Sequence, residues 1–163
     1  MAGPCIVVGV DGSAAAHEAL RWAVELGEAL GGRVVAVHGV GLLEEVHDPD
    51  EPDSTWRAVL CDLVERVWCA RLAGASCPHR VVVRDGPAVD VLLGVAADER
   101  ADLVVVGCRG IGTANPELTL GSTSLHVLQA SRVPVLVVPV REEGVPAAGE
   151  LALRHLLVGV DRS

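Results

Sequence analysis

A chain of 163 residues, 50% apolar and 21% charged, with a formal net charge of −9, has the length and composition of one folded domain. The acidic balance and the shortage of stacking aromatics (three Trp, no Phe or Tyr) argue against nucleic acid or an anionic membrane as a partner. All thirteen basic residues are arginines, so neither a Walker-type phosphate loop nor a Schiff-base enzyme can be built from them.

"CIVVGV" (5–10) is a β-branched run closed by "DGS", the pattern of a strand buried on both faces. Ser13 is placed to cap a helix over 14–31, in which Leu20, Ala23, Gly27 and Leu30 share a face and Gly31-Gly32 ends the element. "RVVAVH" (33–38) is the second strand, and the acidic, proline-bearing 39–53 reads as a loop. A helix over 54–74 follows, capped by Ser54, with Val59, Leu63, Val67 and Ala70 along its inner side. "HRVVVRD" (79–85) is the third strand. Residues 86–100 form the third helix with Pro87 in its first turn, and "DLVVVG" (102–107) is the fourth strand. A helix near 122–131 and "PVLVVPV" (134–140) complete the series.

Strands alternating with helices imply parallel pairing through right-handed crossovers, hence an α/β fold with a doubly wound, five-stranded, Rossmann-like sheet, expected order 3-2-1-4-5. Such sheets bind ligands beyond the carboxyl ends of the strands where the winding reverses. The loops after strands one and four, "DGS" and "GCRGIGT", are expected to meet there.

The second loop belongs to "GCRGIGTANPELTLGSTS" (107–124). Gly107 and Gly110 leave the backbone open to close approach. Gly121-Ser122-Thr123-Ser124 opens a helix whose first amides have no partner within it, an arrangement suited to a polyphosphate. The three hydroxyls add donors and Arg109 adds positive charge. Gly110-x-Gly112-x-x-Asn115 imitates a dinucleotide fingerprint but lacks its third glycine, and a surface turn that binds nothing is the competing interpretation.

Taken with "IVVGVDGS", the "VH" ending strand two, "RDGPAVDVLLGVAADERADLVVVGCRG" and "SRVPVLVVP", the loop resembles the universal stress protein family over residues 5–139. ATP-binding members carry G-x2-G-x9-G-(S/T) after the fourth strand. This chain has Gly107-x2-Gly110, then ten residues, then Gly121-Ser122, and its longer spacer includes Pro116 and Glu117. A carboxylate there would repel a triphosphate unless it faced solvent, which puts affinity in question more than fold. The resemblance implies an adenine nucleotide alpha hydrolase-like fold with ATP as cofactor, with or without Mg²⁺. Gly9, Val10 and Asp11 would meet adenine and ribose, and Gly39 would contact the base by its backbone. Val106 and Gly107 would flank the base, Gly110 would approach the phosphates, and Gly121, Ser122, Thr123 and Ser124 would hold the triphosphate. It also implies a homodimer through the fifth-strand edge.

"LLVGVDRS" (156–163) repeats "IVVGVDGS" (6–13) at five of eight positions. The expected organisation is therefore a domain over 1–140, a linker over 141–155 and the start of a second repeat over 156–163. Five cysteines without C-x-x-C spacing and the opening "MAGPC" fit a reducing cytoplasm, and the six scattered histidines show no metal-ligand spacing. His17, His38 and His126 are expected to be structural. Cys108 lies inside the site and is expected to be a small spacer residue, with a redox thiol as the alternative. The functional expectation is an ATP-binding stress-response sensor without fast catalysis. A partner-binding module with a decayed nucleotide site and a slow ATPase are the alternatives.

Overall fold

A computed structural model describes residues 3–41, 53–110 and 120–140. The acidic residues 44–52, the spacer positions Gly112, Asn115, Pro116 and Glu117, the linker over 141–155 and the repeat over 156–163 lie outside the described residues. The elements run β1 (Cys5–Gly9), α1 (Ala14–Ala29), β2 (Arg33–Val40), α2 (Asp53–Leu63), β3 (His79–Asp85), α3 (Ala88–Asp98), β4 (Leu103–Gly107), α4 (Ser122–Ala130) and β5 (Val135–Val138). The end of α2 continues through a π-helical turn, Val64–Trp68, into a 3₁₀ turn, Ala70–Gly74.

All five strands are parallel, in the order β3-β2-β1-β4-β5. The winding runs outward from β1 through β2 to β3, then restarts beside β1 with β4, so the direction reverses between β1 and β4. Register follows the apolar runs: Ile6 lies opposite both Val34 and Leu103, and Val8 opposite both Ala36 and Val105. Because side chains alternate along each strand, Ile6, Val8, Val34, Ala36 and Val105 pack on one face with Leu20, Ala23 and Val24 of α1 and Val64 of the π turn. Val7, Val35, Val37, Val104 and Val106 pack on the other with Val91, Leu92 and Val95 of α3 and Val127 of α4. A β-branched run with no polar interruption can satisfy both faces at once, which is why β1 is the centre of the sheet.

Small residues replace aromatic bulk at the helix–sheet contacts. Ala15, Ala16, Ala19, Ala23 and Gly27 are all buried along α1. Leu30, expected on that face, is the C-cap residue and is 58% exposed. In the second helix the expected inner side is the outer one. Val59 and Val67 are 63% and 57% exposed, Leu63 and Ala70 are also exposed, and Leu60, Val64 and Trp68 turn inward. Ser54, expected as the cap, already lies within that helix. Residues 39–40, expected in a loop, extend β2, and Pro87 stands just before α3 as its N-cap residue. Among the described residues no helix is long and apolar enough to cross a membrane.

Candidate functional site

The tip of β1 is held from both sides. Val10 donates its amide to Val37 O at 2.9 Å, and its carbonyl accepts from His38 Nδ1, also at 2.9 Å. His38 is buried, and its ring meets Trp68 edge-on with centroids 5.0 Å apart. The chain then turns through Asp11-Gly12-Ser13. Asp11 Oδ1 accepts the Ser13 amide at 3.0 Å, and Ser13 Oγ caps α1 by accepting from the Ala16 amide at 3.1 Å. Gly12 has φ +77°, and a Cβ there would stand 2.5 Å from Trp68 Nε1, so both backbone sign and space require glycine.

The carboxyl end of β4 is tied to this turn. A Cβ on Gly107 would stand 2.6 Å from the Ala15 carbonyl carbon, so the first turn of α1 lies directly on the strand end. One turn further, Ser13 Oγ donates to Arg109 O at 3.3 Å. A Cβ on Gly110 would come within 2.5 Å of Asp11 Oδ2. The start of α4 joins the same cluster: the Gly121 amide donates to Cys108 O at 2.7 Å, and Ser124 Oγ donates to Gly107 O at 2.6 Å. Gly121 caps α4 without a side chain, and the amides of Ser122, Thr123 and Ser124 have no acceptor among the described residues. Three orphan donors at the positive end of a helix dipole therefore stand beside a glycine-lined strand end.

The expected residues divide into two groups. Asp11, Gly107, Arg109, Gly110, Gly121, Ser122, Thr123 and Ser124 come together where β1, β4 and α4 meet. Ser122 and Thr123 are exposed, whereas Ser124 is 3% exposed with its hydroxyl proton directed to Gly107 O. The hydroxyl of Ser124 thus ties helix to strand in this structure and is not directed outward as Ser122 and Thr123 can be. Val10 and Val106 are core residues whose side chains face the two apolar layers. A Cβ on Gly9 would meet Leu92 at 3.4 Å, an ordinary contact distance. Gly39 lies inside β2, where a Cβ would stand 2.8 Å from Ala88 Cα; close packing of α3 accounts for that glycine.

Two contributors escaped the sequence reading. Ser13 carried a capping signal, but its bond to Arg109 O spans 96 positions and leaves no local trace. Trp68 reaches the β1 turn from the π turn, and no periodicity foretells it.

The cysteines are all free thiols. Burial pushes the Cys69 thiol up to about 12, with the Glu65 carboxylate adding to the effect, so this thiol stays protonated at neutral pH. Among the described residues no three His, Cys, Asp or Glu side chains cluster as metal ligands. Phosphate fits the residues present: amides at the start of α4 and a backbone at Gly110 that a Cβ would obstruct. Asp11 is the carboxylate at that edge through which a phosphate-bound Mg²⁺ would be held.

The parallel sheet, with the glycine-rich ends of β1 and β4 converging at its reversal point, defines a doubly wound α/β domain. The sequence profile of the universal stress protein family matches residues 5–139, and the chain belongs to that family. Universal stress protein Rv2623 of Mycobacterium tuberculosis is 36% identical over 138 residues, covering 81% of this chain and 44% of the relative. The chain therefore spans about half the length of that relative. Among solved structures, UspA of Lactobacillus plantarum superposes with TM-score 0.66 over 85% of this chain and 99% of that one, at 20% identity, a likeness of fold. A universal stress protein in complex with cAMP superposes with TM-score 0.58 at 27% identity, over 86% of this chain and all of the other.

Proposed function

We propose that the chain binds an adenine nucleotide, ATP foremost, at the junction of β1, β4 and α4. In this reading it acts as a stress-response sensor in the cytoplasm through its conformation or partners, and not as a fast enzyme. The observation that carries this reading is the convergence of the Asp11–Gly110 contact with the amides of Ser122, Thr123 and Ser124, which have no acceptor among the described residues. The amides suit the phosphates, Arg109 brings positive charge, and Ser124 holds the helix start against Gly107. The cAMP complex of a 27% identical family member supports a nucleotide as the ligand class. A phosphate ester placed here would meet the amide dipoles at the start of α4. Among the described residues no histidine, serine or cysteine at the junction forms a nucleophile–base pair, and the proposal is one of binding. The valine-rich β5, flanked by Pro134 and Pro139, remains the proposed homodimer edge.

The test is titration of nucleotide-free protein with ATP, with and without Mg²⁺, followed by calorimetry and thermal shift. Saturable heat and a raised Tm are expected; athermal titration with an unmoved Tm at millimolar ATP would overturn the proposal.

One set of observations favours a second reading, a partner-binding module without nucleotide. The glycines at 39 and 107 have packing reasons of their own, against Ala88 and Ala15. That reading expects Gly110→Val to leave partner binding intact and to displace no copurified nucleotide.

A further inference from the structure

At the opposite end of the sheet, the C-terminal ends of α3 and α4 border a cleft of about 290 Å³. Leu93, Ala96, Ala130 and Val133 give its lining apolar surface, and Arg100 and Arg132 line it as well. We propose that this cleft is a second ligand site, for a small amphipathic anion: a carboxylate or phosphate head on a short apolar body.

Three independent observations converge on it. The first is charge. In an acidic protein the described arginines are mostly committed to carboxylates: Arg21, Arg33, Arg57, Arg66, Arg71, Arg80 and Arg84 all form ion pairs. Arg100 and Arg132 have no carboxylate partner among the described residues, and both line this one cleft. The acids nearest Arg100 in sequence are engaged elsewhere: Asp98 with Arg84, Glu99 with Arg33 and Arg80, and Asp102 with the Cys5 amide at 2.8 Å. Among the described residues these two guanidinium groups therefore have no carboxylate to neutralise them, and their full charges outweigh the partial negative charge at the two helix C-termini.

The second is backbone conformation. Arg100 has φ 51°, the only positive φ at a non-glycine among the described residues. It closes α3 in the left-handed position, with its own amide on Ala97 O at 3.1 Å and the Ala101 amide on Ala96 O at 2.8 Å. Glycine or asparagine ordinarily fills that position, because a Cβ there is strained. An arginine there carries a conformational cost that glycine would not.

The third is construction. Arg132 sits in a turn fixed by Ser131, whose hydroxyl donates to Val133 O at 2.8 Å and accepts the Val133 amide at 3.2 Å. The turn that carries Arg132 is therefore set by short-range bonds, and the apolar lining of the cleft offers surface for a short alkyl tail.

The probes are sodium octanoate, octyl phosphate, 1-octanol and inorganic phosphate, each titrated into the 163-residue protein and followed by amide-resolved NMR. Saturable shifts at Leu93, Ala97 and Val133 are expected with octanoate or octyl phosphate, and the tighter of the two identifies the head group. Octanol and inorganic phosphate are expected to bind at least about tenfold more weakly, since each supplies only half of the contact. Arg132→Ser, at an exposed turn, is expected to weaken the octyl anions about tenfold or more. Arg100→Gly removes the second fork and relieves the strained backbone, so it should lose binding while raising Tm. Octanol binding as well as octanoate, undiminished binding in Arg132→Ser, displacement of the octyl anion by ATP, or no saturation by about 10 mM would each overturn the proposal.

Discussion

Asp11 and Gly110, 99 positions apart, face each other so closely that a Cβ on the glycine would lie 2.5 Å from the aspartate Oδ2. This contact closes the two loops at the reversal point of the sheet. Gly110→Val is expected to push the Asp11 carboxylate aside and fill the approach to the backbone. ATP affinity should fall by at least about tenfold, while stability changes by less than about 1 kcal/mol, because the obstructed atom is the end of a side chain. Calorimetry with ATP and a urea melt of the variant check both halves.

Ser124 and Ser122 are two hydroxyls on one helix turn with opposite surroundings. Ser124→Ala removes a buried bond of 2.6 Å to Gly107 O and leaves that carbonyl short of a donor. A loss of about 1–3 kcal/mol in stability is expected. Ser122→Ala, at an exposed position, should leave stability within about 0.5 kcal/mol and act on nucleotide affinity alone. Denaturant unfolding and ATP titration of the two variants separate the roles.

Gly12 and Gly31 both have positive φ, +77° and +60°, but only Gly12 has a neighbour, the Trp68 indole. Gly31→Ala carries the conformational cost alone, about 1–2 kcal/mol. Gly12→Ala adds overpacking against an indole that is itself held by His38, and its loss should exceed that of Gly31→Ala by about 1–3 kcal/mol. Thermal melts of the pair, with Trp fluorescence of each, measure the difference. Equal losses would mean that Trp68 yields without resistance.

Glu99 accepts from Arg33 at 2.5 Å and also pairs with Arg80. The Arg33 hydrogen bond above all, then Arg80, holds its carboxyl below the usual glutamate range against the opposing effect of burial. The folded value lies below the unfolded one. Its contribution is therefore complete above the unfolded value, about 4.3, and is lost as pH falls through the folded value. The stability gap between the wild type and Glu99→Gln should be widest near neutrality and close below about pH 4. Urea melts across pH 3–7 test this; a gap constant over that range would contradict it.

The strand order was legible because each strand is a short apolar run between turn residues, and alternation with helices leaves few topologies. Asp11 follows strand one directly, whereas Gly110 and Gly121 were picked out by the glycine-rich loop and its resemblance to the family motif. The second helix was misphased because it carries two adjacent apolar rows, Val59–Leu63–Val67 and Leu60–Val64–Trp68, of similar hydropathy. Only contact with the sheet selects between them, and the π turn at Val64–Trp68 shifts the phase midway. The inward turn of Ser124 was equally hidden, since its acceptor is a carbonyl 17 positions away.

Amide-resolved NMR of isotopically labelled, nucleotide-free protein during ATP addition tests the central claim most directly. Saturable shifts concentrated at Asp11, Gly110 and Gly121 through Ser124 are the predicted result. ATP that leaves those amides unmoved, or that binds with its shifts elsewhere on the sheet, would contradict a nucleotide site at the meeting of β1, β4 and α4.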